Sequence, residues 1–324
     1  MARASQHTVN GDWCGIRRRN IVSDFVPAQK STKMVVNGSN SHGHAPAVEY
    51  EENQDNGDPA QFELDDKCTH YTSLKEVPWD LHKYWQQRYS MFSLYDYGIY
   101  MTDDAWFGVT PEPVANKIAE DYASSTSPTK RTIIDIFAGA GGNSIAFALS
   151  NRWDHVIAIE KDPSVIACAE NNAYIYGVTN ITWVNGDCFE YLKTHASSID
   201  PSETVIFASP PWGGPGYTTE NIFDLSTMQP YSVQYIHEAC KTMDTALYLP
   251  RTSDLRQITQ LLPEGKKVEL VQYCMEGANQ HQLLGQTMRA KCLLHELENL
   301  RSEIQYLWES RLEQCKIYIM LNSL

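Results

Sequence analysis

Positive charge is scarce in this 324-residue sequence: 26 Lys and Arg stand against 40 Asp and Glu, a formal net charge of −14. The deficit is deepest between residues 131 and 279, where 9 basic residues meet 17 acidic ones. Such a chain does not coat a nucleic acid by bulk electrostatics. It can still capture a small part of an RNA in a local pocket, through a few placed Lys and Arg side chains. Long apolar runs are lacking too. None approaches the ~18 residues of a membrane-spanning helix, and the opening MARASQHTVNGDW has no apolar stretch of a secretory signal. The 8 cysteines never form a CxxC pair, which argues against a zinc ribbon or a dithiol redox site. The expectation is an intracellular protein with reduced thiols, no membrane and no metal.

What is present changes character along the chain. Residues 1–66 are rich in Asn, Ser, Gly, His and Asp without sustained periodicity, and read as a disordered tail. Arg17, Arg18 and Arg19 within it are a weak nuclear-import signal, more simply a solvated cluster. From residue 67 aromatics are dense. Leu81, Tyr84, Trp85, Tyr89 and Phe92 recur every three to four positions, as on one helix face. Thr110 is placed to cap a second helix opened by Pro111 and Pro113. Apolar β-branched runs then alternate with helical stretches: TIIDIFAG (132–139), HVIAIE (155–160), ITWVNGD (181–187), TVIFASPP (204–211), TALYLP (245–250) and KKVELVQYCM (266–275). Asp162, Pro163 and Gly177 punctuate the helix after the second run. Buried strands alternating with helices predict a doubly wound α/β fold around a mostly parallel sheet. In residues 280–324, Leu293, Leu297, Leu300, Ile304 and Leu307 form an amphipathic stripe. It predicts a helix running to about residue 319. The alternative makes KIYIML (316–321) a closing strand.

The turn after the first run reads Asp135-Ile136-Phe137-Ala138-Gly139-Ala140-Gly141-Gly142-Asn143. Glycines there let a backbone approach a ligand at a helix N-terminus. A dinucleotide fingerprint needs a third glycine where Ser144 stands. Asp135 precedes the glycines, where a carboxylate repels a pyrophosphate but welcomes a cationic amine. Glu160 ends the second run, placed to accept ribose hydroxyls, and Asp187 ends the third, placed for an adenine amino group. Three acids at three successive strand ends favour S-adenosylmethionine over a nicotinamide dinucleotide. The fourth run ends Ser209-Pro210-Pro211-Trp212, a stiff turn flanked by glycines. Amino-group methyltransferases carry such a turn there. The first side chain and the first proline carbonyl accept the two amine hydrogens, and the aromatic ring stacks the base.

Together KYWQQRYSMFSLYDYGI, AWFGVTPE, DIFAGAGGN, SPPWGGPGY and LPR are similar to the trimethylguanosine synthases, over about residues 80–275. The resemblance implies a class I, Rossmann-like methyltransferase that transfers methyl groups to N2 of 7-methylguanosine RNA caps, giving 2,2,7-trimethylguanosine. It implies base stacking by Trp212 and base-edge and amine contacts by Ser209 and Pro210. It puts S-adenosylmethionine on Val109, Thr110, Asp135, Phe137, Gly139, Glu160 and Asp187, and the cap triphosphate on Lys83, Arg88 and Arg251. The organisation that follows is a tail (1–66), a helical extension feeding the cap and cofactor pocket (67–112), a methyltransferase domain (113–279) and a C-terminal amphipathic helix (280–324). The expected partner is capped RNA of small nuclear or small nucleolar type. The expected protein is a nuclear monomer, with the nucleolus and the cytoplasm as the other compartments. Two departures stand out. Gly108 replaces a common Ser, and no strand of the family's K-x-x-x-A-Y-F-G type follows VELVQYCMEG. The same residues also suit a methyltransferase acting on N2 or N6 of an internal RNA or DNA base, or a cap-binding module without catalysis.

Overall fold

The alternation of apolar runs in the sequence resolves into strands in a computed structural model. It describes residues 17–21, 62–212, 222–250, 252–261, 267–274, 285–293 and 315–321. The described strands are β1 Arg17–Ile21, β2 Thr132–Asp135, β3 His155–Glu160, β4 Ile181–Asn185, β5 Thr204–Ala208, β6 Asp244–Pro250, β7 Lys267–Cys274, β8 Gly285–Leu293 and β9 Cys315–Leu321. The helices are α1 His82–Trp85, α2 Arg88–Met91, α3 Ala105–Gly108, α4 Glu112–Ser125, α5 Gly142–Leu149, α6 Pro163–Ile175, α7 Cys188–Thr194, α8 Val233–Cys240 and α9 Leu255–Leu261. No described helix is long and apolar enough to cross a membrane.

The strands form one sheet in the order β1-β8-β7-β9-β6-β5-β2-β3-β4. Strands β2 to β6 are mutually parallel. Side chains alternate between two cores, as the period-two geometry of a strand requires. Ile133, Val205, Phe207, Ala246 and Tyr248 pack under α4 and α5, while Ile134, Ile206, Leu247 and Leu249 pack under α7, α8 and α9. The doubly wound α/β expectation holds.

Two terminal expectations do not. Residues 285–293 and 315–321 are strands, not parts of a helix that runs to residue 319. Strand β9 lies antiparallel between β6 and β7, pairing Thr245–Pro250 on one side and Val268–Cys274 on the other. KIYIML is thus the closing strand, and the sheet satisfies the backbone groups that β6 and β7 would otherwise leave unpaired. Leu293 ends β8; the remaining stripe, from Leu297 to Leu307, lies outside the described residues. At the other end, Arg17–Ile21 is not tail but an edge strand antiparallel to β8. The remainder of 1–61 lies outside the described residues.

The aromatic segment is cut into single turns, α1 to α3 with short 3-10 turns between, rather than one helix along Leu81–Phe92. Its side chains form a third core. Leu81, Trp85, Phe92, Tyr95, Ile99 and Trp106 are buried against Ala140, Ile145 and Ala173. Asn172 of α6 ties this layer to the glycine loop. Its side chain accepts from Tyr100 N at 2.9 Å and donates to Tyr100 O at 2.9 Å and Ala140 O at 3.1 Å. At α6 the sequence signals hold: Asp162 accepts from Ser164 N and Val165 N, Pro163 fills the first position, and Gly177 is left-handed at φ +67°. At α4 they do not. Pro111 occupies the cap position without a side-chain bond, and the Thr110 hydroxyl instead accepts from Asn143 Nδ2 at 3.1 Å.

Candidate active site

The C-terminal ends of β2, β3, β4 and β5 lie side by side, since β4-β3-β2-β5 are neighbours in the sheet. Open α/β sheets bind ligands at this edge. Strand β2 leads into the glycine loop, where Gly139 (φ +52°) and Gly141 (φ +91°) hold conformations that L side chains rarely adopt. Ala138 N donates to Ile159 O at 3.0 Å, pinning the loop to β3. A methyl group added at Gly142 would meet Thr110 O at 3.3 Å and Val109 Cγ2 at 3.4 Å. Val109 and Thr110 therefore rest on the loop. The space beside Gly139 holds no atom within 4 Å among the described residues.

Each acid has a distinct electrostatic setting. Asp135 is fully buried; its Oδ2 accepts from Ser144 Oγ at 2.7 Å. Burial pushes its carboxyl up to about 7, against the Ser144 hydroxyl and the Phe137 N–H, with the Glu160 charge adding to the rise. Glu160 accepts from Gly139 N at 3.0 Å on one oxygen and from Lys161 N and Asp162 N on the other. Asp187 caps α7, Oδ1 accepting from Phe189 N at 3.0 Å and Glu190 N at 3.2 Å. Its Oδ2 accepts from the Tyr231 hydroxyl at 2.7 Å, and this bond is the main cause holding the carboxyl below its ordinary range. The same contact pushes the Tyr231 hydroxyl up to about 12, so it stays a donor. Phe137 meets Phe189 edge-on at 6.2 Å.

Beyond β5, Pro210 is buried, Ser209 and Trp212 are half-buried and Pro211 is exposed. The Trp212 ring lies 6.3 Å from that of Tyr248 on β6, tilted by 56°. Strand β5 pairs with β2 so that Phe207 faces Asp135, which sets Ser209 and Pro210 just beyond the first acid. The strand ends thus bring Asp135, Phe137, Gly139, Glu160, Asp187, Ser209 and Pro210 to one edge of the sheet, with Val109 and Thr110 against the glycine loop, while Trp212 packs against the two cores beside Tyr248. The two described basic candidates make contacts within the aromatic segment. Arg88 lies 3.9 Å from the Trp85 ring centre and 4.3 Å from that of Tyr89, donating to Trp85 O and Tyr89 Oη. Exposed Lys83 sits over Tyr84 at 4.7 Å. Arg251 lies outside the described residues.

Ser144, Asn143 and Tyr231 were not picked out as site residues by the sequence. Ser144 had a signal, since it replaces the third glycine of the fingerprint. Tyr231 had none, being 44 residues from Asp187. Asn143 is buried, and its Oδ1 has no hydrogen-bond partner among the described residues, an acceptor left over at the start of α5. An open flank at Gly139, a spare buried acceptor and three acids on one edge fit a ligand with an amine, a ribose and an adenine. This set of acceptors fits S-adenosylmethionine, with its ammonium, ribose hydroxyl and adenine amino donors.

The family described as RNA cap guanine-N2 methyltransferase matches residues 130–308. A trimethylguanosine synthase of Schizosaccharomyces pombe is 35% identical over 205 residues, 62% of this chain and 83% of that protein. Its Saccharomyces cerevisiae namesake is 33% identical over 184 residues, 56% of this chain and 58% of that protein. A solved SAM-dependent methyltransferase of Agrobacterium tumefaciens aligns over 58% of this chain and 63% of its own, at 13% identity and a TM-score of 0.40.

Proposed function

The chain belongs to the RNA cap guanine-N2 methyltransferase family, and from that premise we propose that it carries 7-methylguanosine caps to 2,2,7-trimethylguanosine, with the roles below. The observation that supports this most is the pairing of β5 with β2, in which Phe207 is the register partner of Asp135 and Ser209 and Pro210 follow just beyond it. S-adenosylmethionine, when bound, supplies a sulfonium methyl for transfer. Asp135 holds its amine, Glu160 its ribose hydroxyls and Asp187 its adenine amino group, with Val109, Thr110, Phe137 and Gly139 shaping the pocket. On the substrate side, Ser209 and the Pro210 carbonyl accept the two N2 hydrogens and turn the nitrogen lone pair to the methyl. Trp212 stacks on the guanine, whose N7 methyl makes it cationic and so strengthens the contact. That charge also acidifies N1: with the N1 proton released to water, electron density returns towards N2, and the proton that N2 sheds on gaining the methyl group leaves to water as well. No His or Lys lies in the turn to act as a base, so acceleration comes mostly from alignment.

Residues 67–112 serve as an extension that shapes the pocket, and 113–279 hold the chemistry. The substrates are small nuclear or small nucleolar RNAs met in the nucleus, and the protein acts as a monomer. Lys83, Arg88 and Arg251 serve the cap phosphates; for Arg88 this requires guanidinium donors beyond those bound to Trp85 O and Tyr89 Oη.

Trp212→Ala tests the base-stacking role. Stacking is worth roughly 1–3 kcal/mol, and a cationic ring adds to it. The variant should bind 7-methyl-GDP at least about tenfold more weakly while holding S-adenosylhomocysteine nearly as well. Equal loss of both would make Trp212 a core residue only.

A further inference from the structure

A carboxylate offers about four lone-pair sites, and those of Asp187 are nearly filled. Oδ1 takes the N–H groups of Phe189 and Glu190, and Oδ2 takes the Tyr231 hydroxyl at 2.7 Å. The Lys161 ammonium stands 3.5 Å from Oδ2, but its side chain is 74% exposed and such a pair is weak. Among the described residues, one site on Oδ2 therefore remains for a ligand. Tyr231 is itself held in place. Its ring meets Phe189 edge-on at 4.6 Å and stacks on Tyr235 at 5.3 Å, and Phe189 reaches Phe137 of the glycine loop.

We infer that Tyr231 is a positioning residue that sets base specificity in the cofactor site: its hydroxyl locks the Asp187 carboxylate so that the one acceptor left on Oδ2 takes a 6-amino purine and rejects a 6-oxo purine. The inference rests on the assignment of Asp187 to the adenine amino group given above. An amino group donates to that oxygen. A 6-oxo group sets one lone pair against another, and a site built around a hydrogen bond rejects a ligand that cannot make it. Without the Tyr231 hydroxyl, the terminal torsion of Asp187, which is intrinsically broad, is freer to turn. Water can then hydrate Oδ2 and blunt the penalty.

Calorimetry on the full chain with S-adenosylhomocysteine and its 6-oxo counterpart, S-inosylhomocysteine, tests this in the wild type, Tyr231→Phe and Asp187→Asn. The wild type should bind the adenosine form and discriminate strongly against the inosine form. Tyr231→Phe should narrow the affinity ratio about tenfold, the scale of one hydrogen bond to a charged group. Asp187→Asn still caps α7 and can donate to a 6-oxo group, so it should abolish or reverse the preference. A Tyr231→Phe protein that keeps the wild-type ratio, or weakens both ligands equally, overturns the role of Tyr231. The Asp187→Asn result then stands alone in support of the adenine assignment. If Asp187→Asn keeps the wild-type ratio, that assignment itself fails, and the inference with it.

Discussion

Among the candidate site residues, Asp135 is the side chain whose chemistry the fold alters most. Burial places its pKa at about 7, above its ordinary 3.8. The ligand-free fold therefore holds a proton that the unfolded chain has lost between about pH 4 and about pH 7, and stability falls as pH rises through that window. Asp135→Asn should flatten this part of a stability-versus-pH curve, read from thermal melts. An ammonium set against the carboxyl favours its ionised form, so binding of S-adenosylhomocysteine should release a proton below about pH 7. Affinity should rise with pH across that range, and calorimetry in buffers of different ionisation heat would detect the proton. Asp135→Asn should bind more weakly, with no such rise; a rise that persists in the variant would assign the titration elsewhere. Asp135, Glu160 and Asp187 were legible in the sequence because loops after parallel strands present their first residues at one edge. The partners that tune them were not. Ser144 on Asp135 and Tyr231 on Asp187 are matters of tertiary approach.

Among the elements, the strand that closes the sheet and the layer that backs the glycine loop give the sharpest expectations. Strand β9 supplies partners to both β6 and β7. Removing residues 315–324 should expose two apolar strand edges at once and yield aggregated or unfolded protein; a soluble truncation with an unchanged melting curve would contradict the sheet order. The central strands were readable because parallel strands buried on both faces are continuous apolar runs. KIYIML was not, since six apolar and polar residues without a flanking Gly or Pro suit a helix equally well, and only the vacancy between β6 and β7 decides the matter. The aromatic segment misled differently. Its three-to-four spacing fits one helix, yet it breaks into single turns as its rings pack against α6 and the loop. Asn172, fully buried, holds that contact. Asn172→Ala should cost roughly 3 kcal/mol by stranding the Tyr100 and Ala140 backbone groups. It should also weaken S-adenosylhomocysteine by loosening Ala140. Thermal melts and calorimetry check the two effects separately.

At the scale of the whole molecule, the net charge of −14 limits how RNA is held. A pocket that grips the cap alone involves few phosphates. Affinity for a capped oligonucleotide should therefore exceed that for the dinucleotide cap by only a few-fold and fall gently with salt, because the slope follows the number of phosphates neutralised. Filter binding across a salt series would show it; a steep slope would place a basic track outside the site described. In the proposed mechanism a cationic, N7-methylated guanine is anchored on Trp212 and activated at N2 by that same charge. The most direct measurement compares kcat/KM for methyl transfer to 7-methylguanosine-capped and unmethylated guanosine-capped RNA of the same sequence. N2 methylation of the first is expected, with a far slower reaction on the second, through losses in both KM and kcat. Comparable kcat/KM for the two caps would contradict it.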